Sequence, residues 1–185
     1  FASDTISDDY PSYLKVDYQI SNKKTAIQTL RILNTIPGFE VTETAIKNGF
    51  LNVVKNTGLQ GRWQQLNSAP KTICDTGHNE HALKHIVKQA HEVANHVHWV
   101  LGMASDKEHA KALNLFPKTD SFYWTSSSST RTIDSAALAE IALTSGYHGT
   151  EYSSVQEALN AAIKHAKEDD LIFVGGSTFV VAEVL

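Results

Sequence analysis

The sequence predicts an α/β fold: a mainly parallel, Rossmann-like sheet with helices on both faces, preceded by a two-helix segment. Three observations carry this. After Gly61, short apolar runs of strand character alternate five times with helical periodicity, which implies right-handed crossovers and a sheet covered on both sides. Before Gly61 the periodicity is helical only. The 185 residues, 42% hydrophobic and 19% charged, have ordinary globular composition and length for one domain, or one domain and part of another.

The first helix starts near Asn22 and repeats apolar residues at Ala26, Ile27, Leu30, Ile32 and Leu33; Pro37 and Gly38 end it. Thr42 opens a second helix with Ala45, Ile46, Phe50, Val53 and Val54 inward, Glu43 in its first turn and Gly58 beyond its end. Residues between Gly58 and Gly61 form a hinge, which divides the chain into 1–57 and 58–185. Trp63–Leu66 adds an edge strand. Strand–helix pairs follow: Lys71–Asp75 with Glu80–Ala94, His98–Met103 with Lys107–Phe116, and Ser121–Thr125 with Asp134–Thr144. Thr150–Tyr152 pairs with Ser154–Lys167, and Leu171–Val174 with a last helix from Ser177.

Composition excludes several functions. Sixteen Lys and Arg against twenty Asp and Glu leave a net charge of −4, without the basic footprint of a nucleic-acid binder. No apolar run reaches the ~18 residues of a membrane span; Leu171–Leu185 is broken by Gly175, Gly176, Ser177 and Thr178. Cys74 is the single cysteine, which excludes an internal disulfide framework or thiolate cluster and fits a reducing cytoplasm. The chain opens at Phe1, its one methionine is Met103 and no signal-peptide pattern precedes it, so it reads as a fragment of a longer protein. Phe1–Asp9, polar and acidic, reads as a flexible edge.

In parallel sheets function collects at the carboxyl ends of the strands. Four segments fall there: Asp75–Asn79, Gly102–Lys107, Thr125–Arg131 and Gly175–Phe179. Asp75 suits a ribose diol and His78 a phosphate, at a helix start with free N–H groups; equally, Asp75 and Asn79 suit helix capping. Arg62, at the hinge, offers a planar fork for phosphate, or a surface Arg over a packed Trp63. Asp106-Lys107 suits a charged substrate or a solvated helix start. Gly175-Gly176-Ser177-Thr178-Phe179 looks like an anion-binding turn but is no P-loop, having no Lys. His78, His81 and His85 share one helix face with no fourth ligand marked, so no metal site is assigned.

Taken in order, Gly61-Arg62-Trp63-Gln64, Asp75-Thr76-Gly77-His78-Asn79, Asp106-Lys107 and Asp170-Leu171-Ile172-Phe173-Val174-Gly175-Gly176-Ser177 resemble the C-terminal domain of the bifunctional folylpolyglutamate synthase/dihydrofolate synthases of the Mur ligase superfamily. Gly77 stands where that family has Ala, and Glu80 where it has Pro. Upstream, Leu14–Asn22 is similar to the family's Leu-x-Gly-x-His-Gln-x-x-Asn, with Val16 for Gly and Tyr18 for His. The resemblance implies an ATP- and Mg²⁺-dependent ligase that joins L-glutamate to dihydropteroate or a reduced folate through an acyl phosphate. It implies that 1–57 is the end of a central ATPase domain whose N-terminal part is missing here. It puts Arg62 at the terminal phosphates, Asp75 at the ribose, His78 at the neighbouring phosphates, Asn22 and Gln19 near adenine, and Ser177 near glutamate, with Lys107 and Arg131 as further candidates for its carboxylate. The family's Gly-Lys-Ser loop does not occur here, so the fragment alone should not turn over. Two alternatives stand beside this: a peptidoglycan-precursor amino-acid ligase, whose Asp-Asn-Pro-Arg loop is absent, and a non-catalytic nucleotide-binding module.

Overall fold

The computed structural model describes residues 10–185, so the expectation for Phe1–Asp9 lies outside the described residues. The described residues divide into two compact units, which part between Gln60 and Gly61.

The first unit holds α1 (Gln19–Leu33), α2 (Glu43–Leu51) and α3 (Val53–Thr57) around a small core of Tyr10, Ile27 and Ile46. The Tyr10 hydroxyl bonds Glu43 and accepts from Arg31, and its carbonyl accepts from Lys23 at 2.8 Å. Three differences from the periodicity appear. α1 begins three residues before Asn22. The second helix breaks at Asn52, whose side chain turns back to the Asn48 carbonyl at 2.9 Å, an alternative to continuing the helix. Ile32 and Ala45 are exposed, not inward: apolar spacing proposes a face, and only a packing partner buries it. Gly58 ends α3 at φ +66°, the left-handed helix stop that glycine supplies without strain.

The second unit is a six-stranded sheet ordered β1-β2-β6-β3-β4-β5. Its strands are β1 (Gln64–Ser68), β2 (Lys71–Asp75), β3 (Val97–Leu101), β4 (Ser121–Trp124), β5 (Gly149–Glu151) and β6 (Leu171–Gly175). The interleaved helices are α4 (Glu80–Val93), α5 (His109–Leu113), α6 (Ser135–Thr144), α7 (Val155–His165) and α8 (Thr178–Ala182). β2, β6, β3, β4 and β5 run parallel, and β1 pairs with β2 antiparallel. The predicted elements are all present; α5 is the main shortfall, five residues against the ten expected.

Strand side chains alternate between two faces. One packs Cys74, Val100, Tyr123, Ile172 and Val174 against α7 and α8. The other is aromatic: Trp99 meets Phe173 and Phe116, and Phe122 meets Trp124 and Tyr147, all at centroid distances of 4.9–5.5 Å. α4 sits on this face, with His91 6.4 Å from Trp99. β3 and β6 are buried throughout, as central strands covered on both sides must be. Burial pushes the Cys74 thiol up to about 12, leaving it inert as a nucleophile at neutral pH.

Candidate functional site

The direction of β1 decides where the site is. Because β1 is antiparallel, its first residue, Gln64, lies opposite Cys74 near the end of β2. The chain therefore enters the second unit at the carboxyl pole of the parallel strands, and Gly61-Arg62-Trp63 arrives beside Asp75-Thr76-Gly77-His78. The sequence marks both segments but carries no signal that they touch.

Their contact is a set of directed hydrogen bonds. Asp75 is wholly buried, and each carboxylate oxygen accepts one backbone N–H: Trp63 at Oδ2 and Gly77 at Oδ1, both at 2.7 Å. The Thr76 N–H donates to the Gly61 carbonyl at 3.0 Å, and the Gly61 N–H donates to Gln64 Oε1 at 2.8 Å. Gly61 has φ +66° and no room for a Cβ, which would lie 2.7 Å from Thr76 Cγ2. Trp63 at φ +47° is the one described non-glycine residue with positive φ; such a conformation costs on the order of 1–2 kcal/mol and persists where surrounding contacts over-determine it. The Trp63 ring lies 6.1 Å from Phe173.

Two side chains are left at the surface of this assembly. Arg62 is half-buried and donates from Nη1 to the Gly61 carbonyl at 3.0 Å, which leaves donors of its five-donor fork for a ligand. His78 is exposed, and its Nδ1–H donates to the Thr76 carbonyl at 3.0 Å. That bond fixes the tautomer: the outward Nε2 accepts while the ring is neutral and donates to an anion only as imidazolium. Asn79, not Asp75, caps α4, accepting from Ala82 N–H at 2.8 Å. The capping alternative for Asp75 is thus replaced by a third role, holding the turn.

Other sequence candidates fall differently. Ser177 is 2% exposed and caps the five-residue α8, its hydroxyl oxygen accepting from Phe179 N–H. The Gly175-Gly176 turn is no open cradle either: a Cβ on Gly176 would lie 2.7 Å from the Gly102 carbonyl, and one on Gly102 2.5 Å from the Thr125 carbonyl. These glycines let neighbouring strand ends pack backbone to backbone. Lys107 is exposed and pairs with Asp106 at 3.2 Å; Arg131 lies over the Phe179 ring at 5.3 Å. Asn22 and Gln19, on α1 in the first unit, bond one another at 3.0 Å. His81 and His85 sit 4.8 Å apart, and among the described residues no three His, Cys, Asp or Glu side chains converge to hold a metal.

The second unit is thus a parallel α/β sheet with one antiparallel edge strand, with Arg62 and His78 on loops at its carboxyl pole. Residues 61–178 match the family described as Mur ligase, glutamate ligase domain, and the chain belongs to it. Over 167 residues it is 32% identical to the dihydrofolate synthase/folylpolyglutamate synthase of Escherichia coli (strain K12), covering 89% of this chain and 37% of that protein. The structure of the E. coli protein in complex with DHPP and ADP superposes with a TM-score of 0.72 at 32% identity, over 88% of this chain and 37% of that one. The bifunctional synthase of Yersinia pestis, complexed with AMPPNP and Mn ion, gives 0.74 at 26% identity, over 95% and 40%. The chain thus spans about two fifths of the length of these relatives or less. No described helix is long and apolar enough to cross a membrane.

Proposed function

We propose that this chain is the C-terminal part of an ATP-dependent carboxylate–amine ligase of folate metabolism, acting in the cytoplasm. ATP phosphorylates a carboxylate of dihydropteroate or a reduced folate, the amine of L-glutamate displaces that phosphate, and an amide, ADP and inorganic phosphate result. The observation that carries it is the bonded pair of loops at the carboxyl pole, which bear Arg62 and His78 and are held by four hydrogen bonds from backbone N–H groups.

In this reading Arg62 lies against the terminal phosphates and stabilises charge as it shifts during transfer, a donor preset in place before the reaction. His78, already held through Nδ1, turns Nε2 toward the neighbouring phosphate. Asp75 meets the ribose only if the Trp63 side of the turn shifts on binding, because its carboxylate is buried. Asn22 and Gln19 lie near adenine, and Ser177 near the incoming glutamate, with Lys107 or Arg131 near its carboxylate. The described residues offer no convergent Mg²⁺ ligands. We read residues 1–57 as the end of the central ATP-binding domain and 58–185 as the ligase C-terminal domain.

The test supplies the full-length protein with ATP, Mg²⁺, L-glutamate and dihydropteroate or a reduced folate, and follows phosphate and amide product. Glutamate-dependent phosphate release with folate, and none with peptidoglycan precursors, is expected. The 185-residue chain alone should give none. Release with a peptidoglycan precursor instead would move the protein to the rival branch, and no release with any acceptor would make it a binding module.

A further inference from the structure

Gln64 is the first residue of an exposed edge strand, yet its side chain does not follow the strand. It folds back, and Oε1 accepts the Gly61 N–H at 2.8 Å, bridging the two residues that lie between. Those two are Arg62 and Trp63, flanked by left-handed φ values at Gly61 and Trp63 itself. A turn with two positive-φ residues in three, one of them a tryptophan, is not a conformation the local sequence prefers. Three acceptors impose it: Gln64 Oε1 on Gly61 N–H, Asp75 Oδ2 on Trp63 N–H, and the Gly61 carbonyl on Thr76 N–H. The Arg62 guanidinium in turn rests on the same Gly61 carbonyl at 3.0 Å. Every bond that sets where Arg62 starts and ends thus passes through Gly61 or Trp63, and Gln64 is the one side chain holding the Gly61 side.

We propose that Gln64 is a positioning residue for Arg62. It acts through the Gly61 N–H, with Asp75 closing the other side of the turn, and it sets the aim of the guanidinium without touching substrate. This rests on the reading in which Arg62 faces the transferred phosphate. The role needs a side-chain oxygen that accepts the Gly61 N–H, which an amide carbonyl and a carboxylate both supply.

The experiment uses the full-length enzyme with Gln64→Ala and Gln64→Glu, alone and in an Arg62→Ala background, measuring kcat and KM for ATP. Amide exchange of the peptide around residues 59–66 is followed alongside. Gln64→Ala should lower kcat about tenfold, since small misplacements of a charge-stabilising group are costly, while KM for ATP changes less than about twofold. Gln64→Glu keeps the acceptor and should recover most of the loss. In the Arg62→Ala background Gln64→Ala should have no further effect, because there is no guanidinium left to aim. Gly61 amide exchange should quicken in Gln64→Ala with the melting temperature nearly unchanged. A wild-type kcat in Gln64→Ala, a Gln64→Glu variant as slow as Gln64→Ala, or losses that simply add to Arg62→Ala would overturn the proposal. If exchange quickens but Arg62→Ala itself turns over normally, the fault lies in the assignment of Arg62 to the phosphate and not in the turn.

Discussion

The two ends of the sheet handle polar groups in opposite ways. At the amino pole side chains bond to one another. His98, buried in β3, donates from Nε2 to Asp170 at 3.1 Å and accepts at Nδ1 from the Tyr123 hydroxyl at 2.9 Å, whose oxygen accepts from His165 at 3.2 Å. Beside it Asp120, its side chain 1% exposed, accepts from Trp99 Nε1 at 2.7 Å and His91 Nε2 at 2.9 Å. At the carboxyl pole the bonds are mostly to backbone, and Arg62 and His78 retain donors or acceptors that face outward. The amino pole holds more titratable groups, and His96, His98 and His165 line an open cavity of ≈ 480 Å³ there. On the proposed reading, density of histidine and aspartate therefore does not mark the reacting end of this fold. A chain of side chains that satisfy one another ties strands together, whereas a side chain fixed at its base and open at its tip is available to a ligand.

The environment of each group agrees. Burial pulls the His98 imidazole down, against the Asp170 bond that pushes it up, so it is held neutral. Burial works against ionising Asp170, but the Lys167 N–H and His98 bonds outweigh it and keep that carboxyl below the usual range. The Tyr123 hydroxyl is pushed up to about 12, chiefly by burial, so it serves as a neutral donor. Among the described residues no buried side-chain polar atom lacks a partner.

The sharpest way to break this contrast is Asp120→Ala. It leaves the Trp99 indole N–H buried and unpaired and should cost about 3 kcal/mol of stability, read by urea denaturation, with kcat of the folded full-length enzyme within about twofold of wild type. An unchanged denaturation midpoint would remove the structural role given to the amino pole. Arg62→Ala is the mirror image: kcat should fall about a hundredfold or more, equivalent to about 2.7 kcal/mol of barrier, with stability nearly unaltered. A smaller, pH-dependent effect belongs to His98, which faces Asp170, His96, Tyr123 and His165. Its folded value lies below the ordinary 6.5, so the unfolded chain takes up the proton first. Stability is full above 6.5 and falls as pH drops below it, until folded His98 protonates too. The slope for one proton cannot exceed about 1.4 kcal/mol per pH unit. In His98→Gln this part of the slope should vanish, and a variant whose pH profile matches wild type would assign the titration elsewhere.

Element order, the parallel core of the sheet and the segments that carry chemistry are all legible in the chain, because each is encoded locally. β3 and β6 are apolar on both faces, α4 and α7 have helical periodicity with Asn79 and Ser154 as caps, and Asp75–Asn79 and Gly61–Gln64 are contiguous motifs. Other features come from tertiary pairing. The position of β6 between β2 and β3, and the antiparallel direction of β1, are set by partners such as Lys71 with Leu171 and Gln64 with Cys74, which no local pattern records. That pairing put Gly61-Arg62-Trp63 beside Asp75 and brought the Trp63 N–H onto its buried carboxylate. A side chain's type limits what it can bind, but its availability depends on which partners folding brings within about 3 Å, and some of those, as Trp63 is to Asp75, are distant in the chain.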